Sequence, residues 1–545
     1  MCLPAPCACG YHRAMNFPNL SAAESRLWRR SRQYLDTDQL AAAQAVLEAL
    51  VQRVPHEPVF RMELAQVMFR REQPRAATAQ WLQVANARLP DDPGLVLTLV
   101  QHLCHVGEVL AARACLDHLA TVGAVSAEHW AEQAQLRSML GEFPECRATL
   151  DRALAAGSDT PDDHYLDAML FQFGGDVSRA EEVLDECLRR WPFFGGAALA
   201  LANLRRQTPA SNHLDFLQGQ LRRLPDDNAT PSDNLVRAEF EAAVFKELDD
   251  LGRHDEAWSA LSRSNALMHA LTPYNASLET AVTDALVSQP EFAGGPAVAA
   301  ASRFTGPTPI FIVGMPRSGT TLLDRMLSNH SDIVSAGEIN DFMRQFHWAA
   351  DVPPGGMLKA IRQSSRIDYA ELGARYLAQT RWRAQGHKYY IDKLPANIQM
   401  VAFIRRALPH ALILHMVREP MEVCFSNYRA MFGKVSGYSY DLQALAHYYG
   451  EYVRLARHWH ERLPEVMLDV SYTELVSAPE ATLRRVLGHC GLEFEPGCLR
   501  PEGNLAPVAT PSSVQVREPI HTRSLGQWRN YEAPLKPLQM MIGDH

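Results

Sequence analysis

No run of about 20 apolar residues occurs in the chain's 545 residues, so the sequence offers no membrane-spanning helix. The N-terminus also lacks the basic and then apolar pattern of a secretory leader, which leads us to expect a cytoplasmic protein. Cysteine is scarce, at ten residues, and no paired spacing occurs beyond Cys7 and Cys9. Reduced thiols are therefore expected, not a disulfide frame or a zinc site, and no metal is called for. The histidines, among them His330, His415 and His447, show no ligand spacing and read as structural; a role as base stays open for His330. A concentrated basic face is missing as well. Lys and Arg number 53 against 62 Asp and Glu, a net charge of −9, which excludes a nucleic-acid footprint. The charge is uneven: residues 308–545 carry 26 basic and 23 acidic side chains, and residues 1–307 carry 27 and 39. The chain is 47% hydrophobic and 21% charged, ordinary for a globular protein, and too long for a single core, so two or three domains are expected.

The most telling local pattern lies in the more basic half. Ile310-Phe311-Ile312-Val313 suits a buried parallel strand, Leu322-Leu323-Asp324-Arg325-Met326-Leu327 suits a helix, and between them runs Gly314-Met315-Pro316-Arg317-Ser318-Gly319-Thr320-Thr321. A strand, a glycine-bearing turn and a helix N-terminus together make a phosphate cradle, because the unpaired N–H groups and the positive end of the helix dipole face the turn. One residue is missing from it. Thr320 stands where nucleotide-triphosphate cradles place a lysine, and Arg317 puts a planar cation inside the loop instead. ATP hydrolysis is therefore disfavoured and a different phosphate ester is favoured.

The acidic half repeats. Gly107-Glu108-Val109, Gly141-Glu142-Phe143 and Gly175-Asp176-Val177 begin 34 residues apart. Upstream, Gln73-Pro74 and Asp38 continue the series, and Gly252-Arg253-His254 resumes it. Prolines recur at Pro55, Pro58, Pro90, Pro93, Pro192 and Pro225. Such a unit, with a turn between two helices and a proline near its end, resembles the tetratricopeptide repeat. Each helix pair leaves an apolar face for its neighbour to cover, so stacking implies a solenoid whose groove receives a protein partner or acceptor, or which serves only as scaffold. The organisation expected is a loose extension over 1–20, with Met15 a candidate start, a repeat solenoid over 21–290, a Pro- and Gly-bearing linker over 291–307, and a second domain over 308–545.

That second domain alternates strands and helices, as a doubly wound parallel sheet requires. Strand-like runs end near Glu338, Lys393 and Arg418, and ligands of open parallel sheets gather at the carboxyl ends of strands. These three residues are expected to converge beside Arg317. The tyrosines 438, 440, 448, 449 and 452 read as helix packing, not as an acceptor pocket.

Pro316-Arg317-Ser318-Gly319-Thr320-Thr321, Gly337-Glu338, Asp392-Lys393 and Val417-Arg418-Glu419-Pro420 with Ser426 resemble the sulfotransferase family that uses 3′-phosphoadenylyl sulfate (PAPS). The likeness is to protein-tyrosine sulfotransferases and to bacterial sulfotransferases with N-terminal tetratricopeptide repeats. It extends through Tyr472-Thr473-Glu474-Leu475 and through Gln515-Val516-Arg517 to Tyr531. It implies an α + α/β architecture, an all-α repeat solenoid followed by a P-loop-type α/β domain. It also implies a donor with anionic groups at two ends. Arg317, Ser318, Gly319, Thr320 and Thr321 would hold the 5′ end, and Arg418 and Ser426 the 3′-phosphate. Glu338 would be the base for an acceptor hydroxyl and Lys393 the counter-charge for the leaving oxygen. Ser512 or Ser513 would lie near that oxygen, and Arg523 or Arg529 near the 3′ end. The acceptor could be a protein tyrosine, a peptide, a glycan or a metabolite; Asn340 and Asp341 stand where an arginine usually follows the Gly-Glu pair. Two other readings are another P-loop phosphotransferase and a non-catalytic repeat scaffold. Arg418 paired with Glu419 or Glu422, Lys393 with Asp392, or Glu338 as a helix-starting acid would each be plain structural alternatives.

Overall fold

The computed structural model describes residues 17, 20–121, 125–225, 229–289, 306–509 and 513–543. Ser512, most of the expected N-terminal extension and nearly all of the expected linker lie outside them. From Ala22 to Val287 the described chain is helical throughout except for turns and one isolated bridge between Thr208 and Ser211.

The helices follow from their caps. Ser21 opens the first one with a capping box to Glu24, and prolines 58, 74, 93, 161 and 231 occupy the first helical turn of later ones, where a missing N–H costs nothing. The 34-residue period marks the turns: Gly107 ends the helix Pro93–Val106 at φ 81°, and Gly141 and Gly175 take φ 74° and 91°. Asp38 and Glu72 adopt the same left-handed region at φ 54° and 59°, so the repeat continues where glycine does not mark it. Consecutive helices pack as pairs, in the manner of tetratricopeptide repeats.

Two compact units form, and each is discontinuous in sequence. The first takes the chain up to Ser158 together with Asn340–Thr380. In it the helices Asp341–Ala349 and Tyr369–Thr380 dock on the repeats. Arg375 pairs with Glu108, Gln379 Nε2 donates to Glu108 Oε2 at 3.0 Å, and Gln345 Nε2 donates to the Gly107 carbonyl at 2.8 Å. The Trp348 ring lies under two guanidiniums, Arg75 at 4.8 Å and Arg375 at 3.5 Å from its centroid.

The second unit holds Asp159–Ile339 and the chain from Arg381 onward. Its centre is a five-stranded parallel sheet in the order β2-β3-β1-β4-β5, with β1 Thr308–Gly314, β2 Ile333–Ser335, β3 Tyr389–Lys393, β4 Leu412–Val417 and β5 Leu468–Ser471. The central strand β1 is covered on both faces, which is why it reads as an unbroken apolar run. Ile310, Ile312, Leu323, Leu327, Leu414 and Leu483 belong to the core on one face. The register sets Lys393 opposite Ile312 and Met416 opposite Gly314, so the carboxyl ends of β3 and β4 flank the start of the cradle.

Candidate active site

The cradle forms where β1 meets the helix Thr320–Leu327. Gly314 takes φ 145°, and a Cβ there would stand 2.7 Å from the Met416 carbonyl oxygen. Gly319 caps the helix at φ 109°, with Tyr472 so close that a Cβ would lie 2.4 Å from its ring. Between them Arg317 holds a left-handed φ of 65°, a strained conformation that surrounding structure must enforce. Ser318 is buried and its hydroxyl has no hydrogen-bond partner among the described residues. Buried hydroxyls are normally satisfied, so this is a donor waiting for an acceptor.

The lysine missing from the loop arrives from the neighbouring strand. Lys393, with 1% of its side chain exposed, donates from Nζ to Glu338 Oε1 at 2.5 Å and to Thr321 Oγ1 at 3.4 Å. Glu338 keeps 40% of its side chain exposed and so remains open to an incoming group. Beneath them Asp324 is buried and takes a hydrogen bond from Ser335 Oγ at 3.0 Å; burial pushes its carboxyl up and Lys393 opposes that.

A second cationic cluster stands at the end of β4. Arg418 donates to Glu422 Oε2, to the Arg317 carbonyl and to the Ser524 carbonyl, each at 3.1 Å, and its guanidinium lies 4.4 Å from the Tyr472 ring centroid. Glu422 in turn accepts from the Gly526 backbone at 2.6 Å. The Arg418–Glu422 pair anticipated as a surface ion pair therefore exists but is buried, both side chains being 9% exposed. Burial and then the nearby Arg429 and Arg418 bring the Arg317 guanidinium down to about 10. A guanidinium depressed by two neighbouring cations is one that a bound anion would relieve.

Other expected residues have their own partners. Ser426 is half-buried on the helix Pro420–Tyr428. Ser513 is buried, its hydroxyl accepting from Gln172 Nε2 at 2.8 Å. Arg523 pairs with Glu518, and Arg529 lies 4.9 Å from the Trp528 ring centroid. His330 accepts from the Asp332 N–H through Nδ1 and contacts the Glu493 carbonyl through Nε2, both at 3.0 Å, so its ring is held by backbone on both sides. His447 contacts Tyr274 and Thr280. Tyr438 stacks on Tyr448 at 3.7 Å, which is packing. Arg429 and Asp324 were not marked as site residues by sequence; an arginine three turns along the helix after Arg418 was the available signal for the first.

At the carboxyl ends of a parallel sheet the structure thus brings together a glycine-bearing strand-to-helix loop, a buried lysine and an arginine cluster that includes Arg317. Residues 309–496 match the model of the sulfotransferase family. A 240-residue stretch is 30% identical to an uncharacterised protein of Aquifex aeolicus, covering 42% of this chain and 31% of that one. A protein-tyrosine sulfotransferase of Drosophila melanogaster is 24% identical over 241 residues, 40% of this chain and 46% of its own. The matched stretch thus spans less than half of either relative. The sulfotransferase domain from the curacin biosynthetic pathway is 18% identical, covering 45% of this chain and 98% of its own, at a TM-score of 0.31.

Proposed function

We propose that this protein transfers a sulfuryl group from PAPS to an acceptor hydroxyl. The observation that carries the reading is the meeting at Lys393 Nζ of a cradle hydroxyl, Thr321, and an accessible carboxylate, Glu338. Cradle, counter-charge and base are thereby within one hydrogen-bonded set.

The residues present fit the donor. Its 5′ anionic end suits the cradle, where Ser318 Oγ has no partner among the described residues and the loop packs so tightly on Met416 and Tyr472 that only glycine fits at 314 and 319. Its 3′-phosphate suits Arg418 with Ser426, supported by Arg429; Ser513 and Arg523 complete the proposed contacts, Arg523 once Glu518 releases it. When bound, the donor supplies an activated sulfuryl group and a phosphate leaving group. Glu338 takes the proton of the acceptor hydroxyl while the new oxygen–sulfur bond forms, and the old bond from sulfur to the bridging oxygen breaks in line. Lys393 and Arg317 meet the charge that develops on the leaving oxygen, a task in which a preorganised cation is most effective. Glu338 must leave Lys393 partly to do this, and its exposure allows the movement. The repeats over 21–290 are proposed to recruit the acceptor or a protein partner for the domain over 308–545.

The test is transfer of radiolabelled sulfate to an acceptor panel, with calorimetric binding of adenosine 3′,5′-bisphosphate alongside. Arg317→Ala should weaken bisphosphate binding by about tenfold or more, the scale of a lost charge-assisted contact. Glu338→Ala should keep binding and lower transfer by roughly 10²–10⁴. Undiminished turnover in the glutamate variant removes it as the base.

A further inference from the structure

Beside the cradle, on the β4–β5 edge, three residues far apart in sequence come together: His415 of β4, Asp469 of β5, and His460 of the helix Leu442–Arg462. The register pairs His415 directly with Asp469. Asp469 Oδ1 lies 2.8 Å from His415 Nδ1 and 3.1 Å from His460 Nε2, and the three atoms all lie within 4.8 Å of one another. They border a cavity of about 200 Å³ that Met315, Ser318, Arg418 and Tyr452 also line.

We propose that His415, His460 and Asp469 form a binding site for a borderline first-row divalent cation, zinc fitting best, with water in the remaining position. Two imidazole nitrogens and one carboxylate oxygen are a donor set that zinc takes when one coordination position is left open. Ligand bonds of about 2.0–2.2 Å in a tetrahedron separate ligand atoms by roughly 3.3 Å. The observed 2.8 and 3.1 Å need to widen only slightly, and the two imidazole nitrogens, which lie within 4.8 Å of each other, to draw in on the ion, for it to replace the hydrogen bonds. The outer partner is already in place. Tyr452 Oη lies 2.7 Å from His415 Nε2, so that nitrogen can carry the proton and leave the Nδ1 lone pair for the ion. The side chain of His415 is 4% exposed and gives the anchor; those of His460 and Asp469, at 41% and 51%, leave a route from solvent. An ion there would tie β4, β5 and the helix Leu442–Arg462 together beside the anion-binding loop without entering the transfer chemistry.

The experiment titrates the full chain, first stripped with a chelator, with zinc chloride by calorimetry and by thermal melting, and repeats the binding with cobalt for its visible absorption. Expected are one tight equivalent, a raised melting temperature and the absorption of four-coordinate cobalt. His460→Ala and Asp469→Asn, both at accessible positions, should each weaken that equivalent by about tenfold or more. His56→Ala, an exposed histidine in the first unit, should not. Zinc affinity unchanged in both site variants, or no equivalent tighter than the scattered surface histidines, overturns the proposal. If one variant does not fold, the other and the cobalt spectrum still decide.

Discussion

Replacing Lys393 by methionine keeps the length and bulk of the side chain and deletes only the charge. The structure makes this a clean perturbation, because the ammonium has three neighbours of known character: Glu338 Oε1 at 2.5 Å, Thr321 Oγ1 at 3.4 Å, and the buried Asp324 whose carboxyl it holds down. Removing one partner of a fully buried ion pair costs about 3–5 kcal/mol. Glu338, however, is 40% exposed and can regain water. Asp324 can take up a proton, so the fold should lose nearer to about 1–2 kcal/mol. Catalysis should suffer more. A preorganised charge facing a developing anion contributes roughly 10²–10³ in kcat, or about 3–4 kcal/mol. The assay is initial-rate transfer of radiolabelled sulfate at saturating donor, with bisphosphate affinity and a melting curve measured on the same preparation. Bisphosphate affinity close to wild type with kcat lowered at least about a hundredfold is expected. A folded Lys393→Met protein whose kcat stays within about threefold, less than 1 kcal/mol, would refute the role assigned to this lysine.

Gly319→Ala should destabilise the second unit by about 2 kcal/mol or more, since φ 109° is strained for any other residue and the new Cβ would strike the Tyr472 ring. A urea midpoint indistinguishable from wild type would show that the loop relaxes freely. In the first unit, His347 is buried and its imidazole is brought down to about 4, burial being the main cause and His105 a further one. Its folded value lies below the unfolded 6.5, so the unfolded state binds more protons between the two. The stability it confers is complete above pH 6.5 and is lost as pH falls towards 4, by roughly 3 kcal/mol in all. The first unit's melting temperature should therefore drop over that window, and His347→Leu should flatten the drop; identical slopes would remove this histidine as the cause.

The cradle was legible because everything that makes it is local: an apolar strand, two glycines and a helix start within a few residues of one another. Glu338, Lys393 and Arg418 were legible because strand ends in parallel sheets point to one side. The repeats were legible because a period survives divergence, even at Asp38 and Glu72, where a left-handed turn is made without glycine. What sequence did not show depends on long-range packing. Nothing near Arg429 reveals that it crowds Arg317, and nothing near Glu422 reveals that a distant backbone N–H at Gly526 will bury it. His415 and Asp469 meet only because β4 and β5 pair in one particular register. The docking of 340–380 on the repeats rests on Arg75, Glu108 and Gln379, single contacts more than two hundred residues away in sequence.

That docking bears on how such a protein could be rebuilt. The crossover between β2 and β3 belongs to the sheet by connectivity and to the helix pairs by packing. Exchanging the N-terminal repeats for those of another protein would strip Trp348, Arg375 and Gln379 of their partners just downstream of Glu338. A graft of other repeats would therefore have to carry 340–380 with it, so the helical unit is inherited in two pieces.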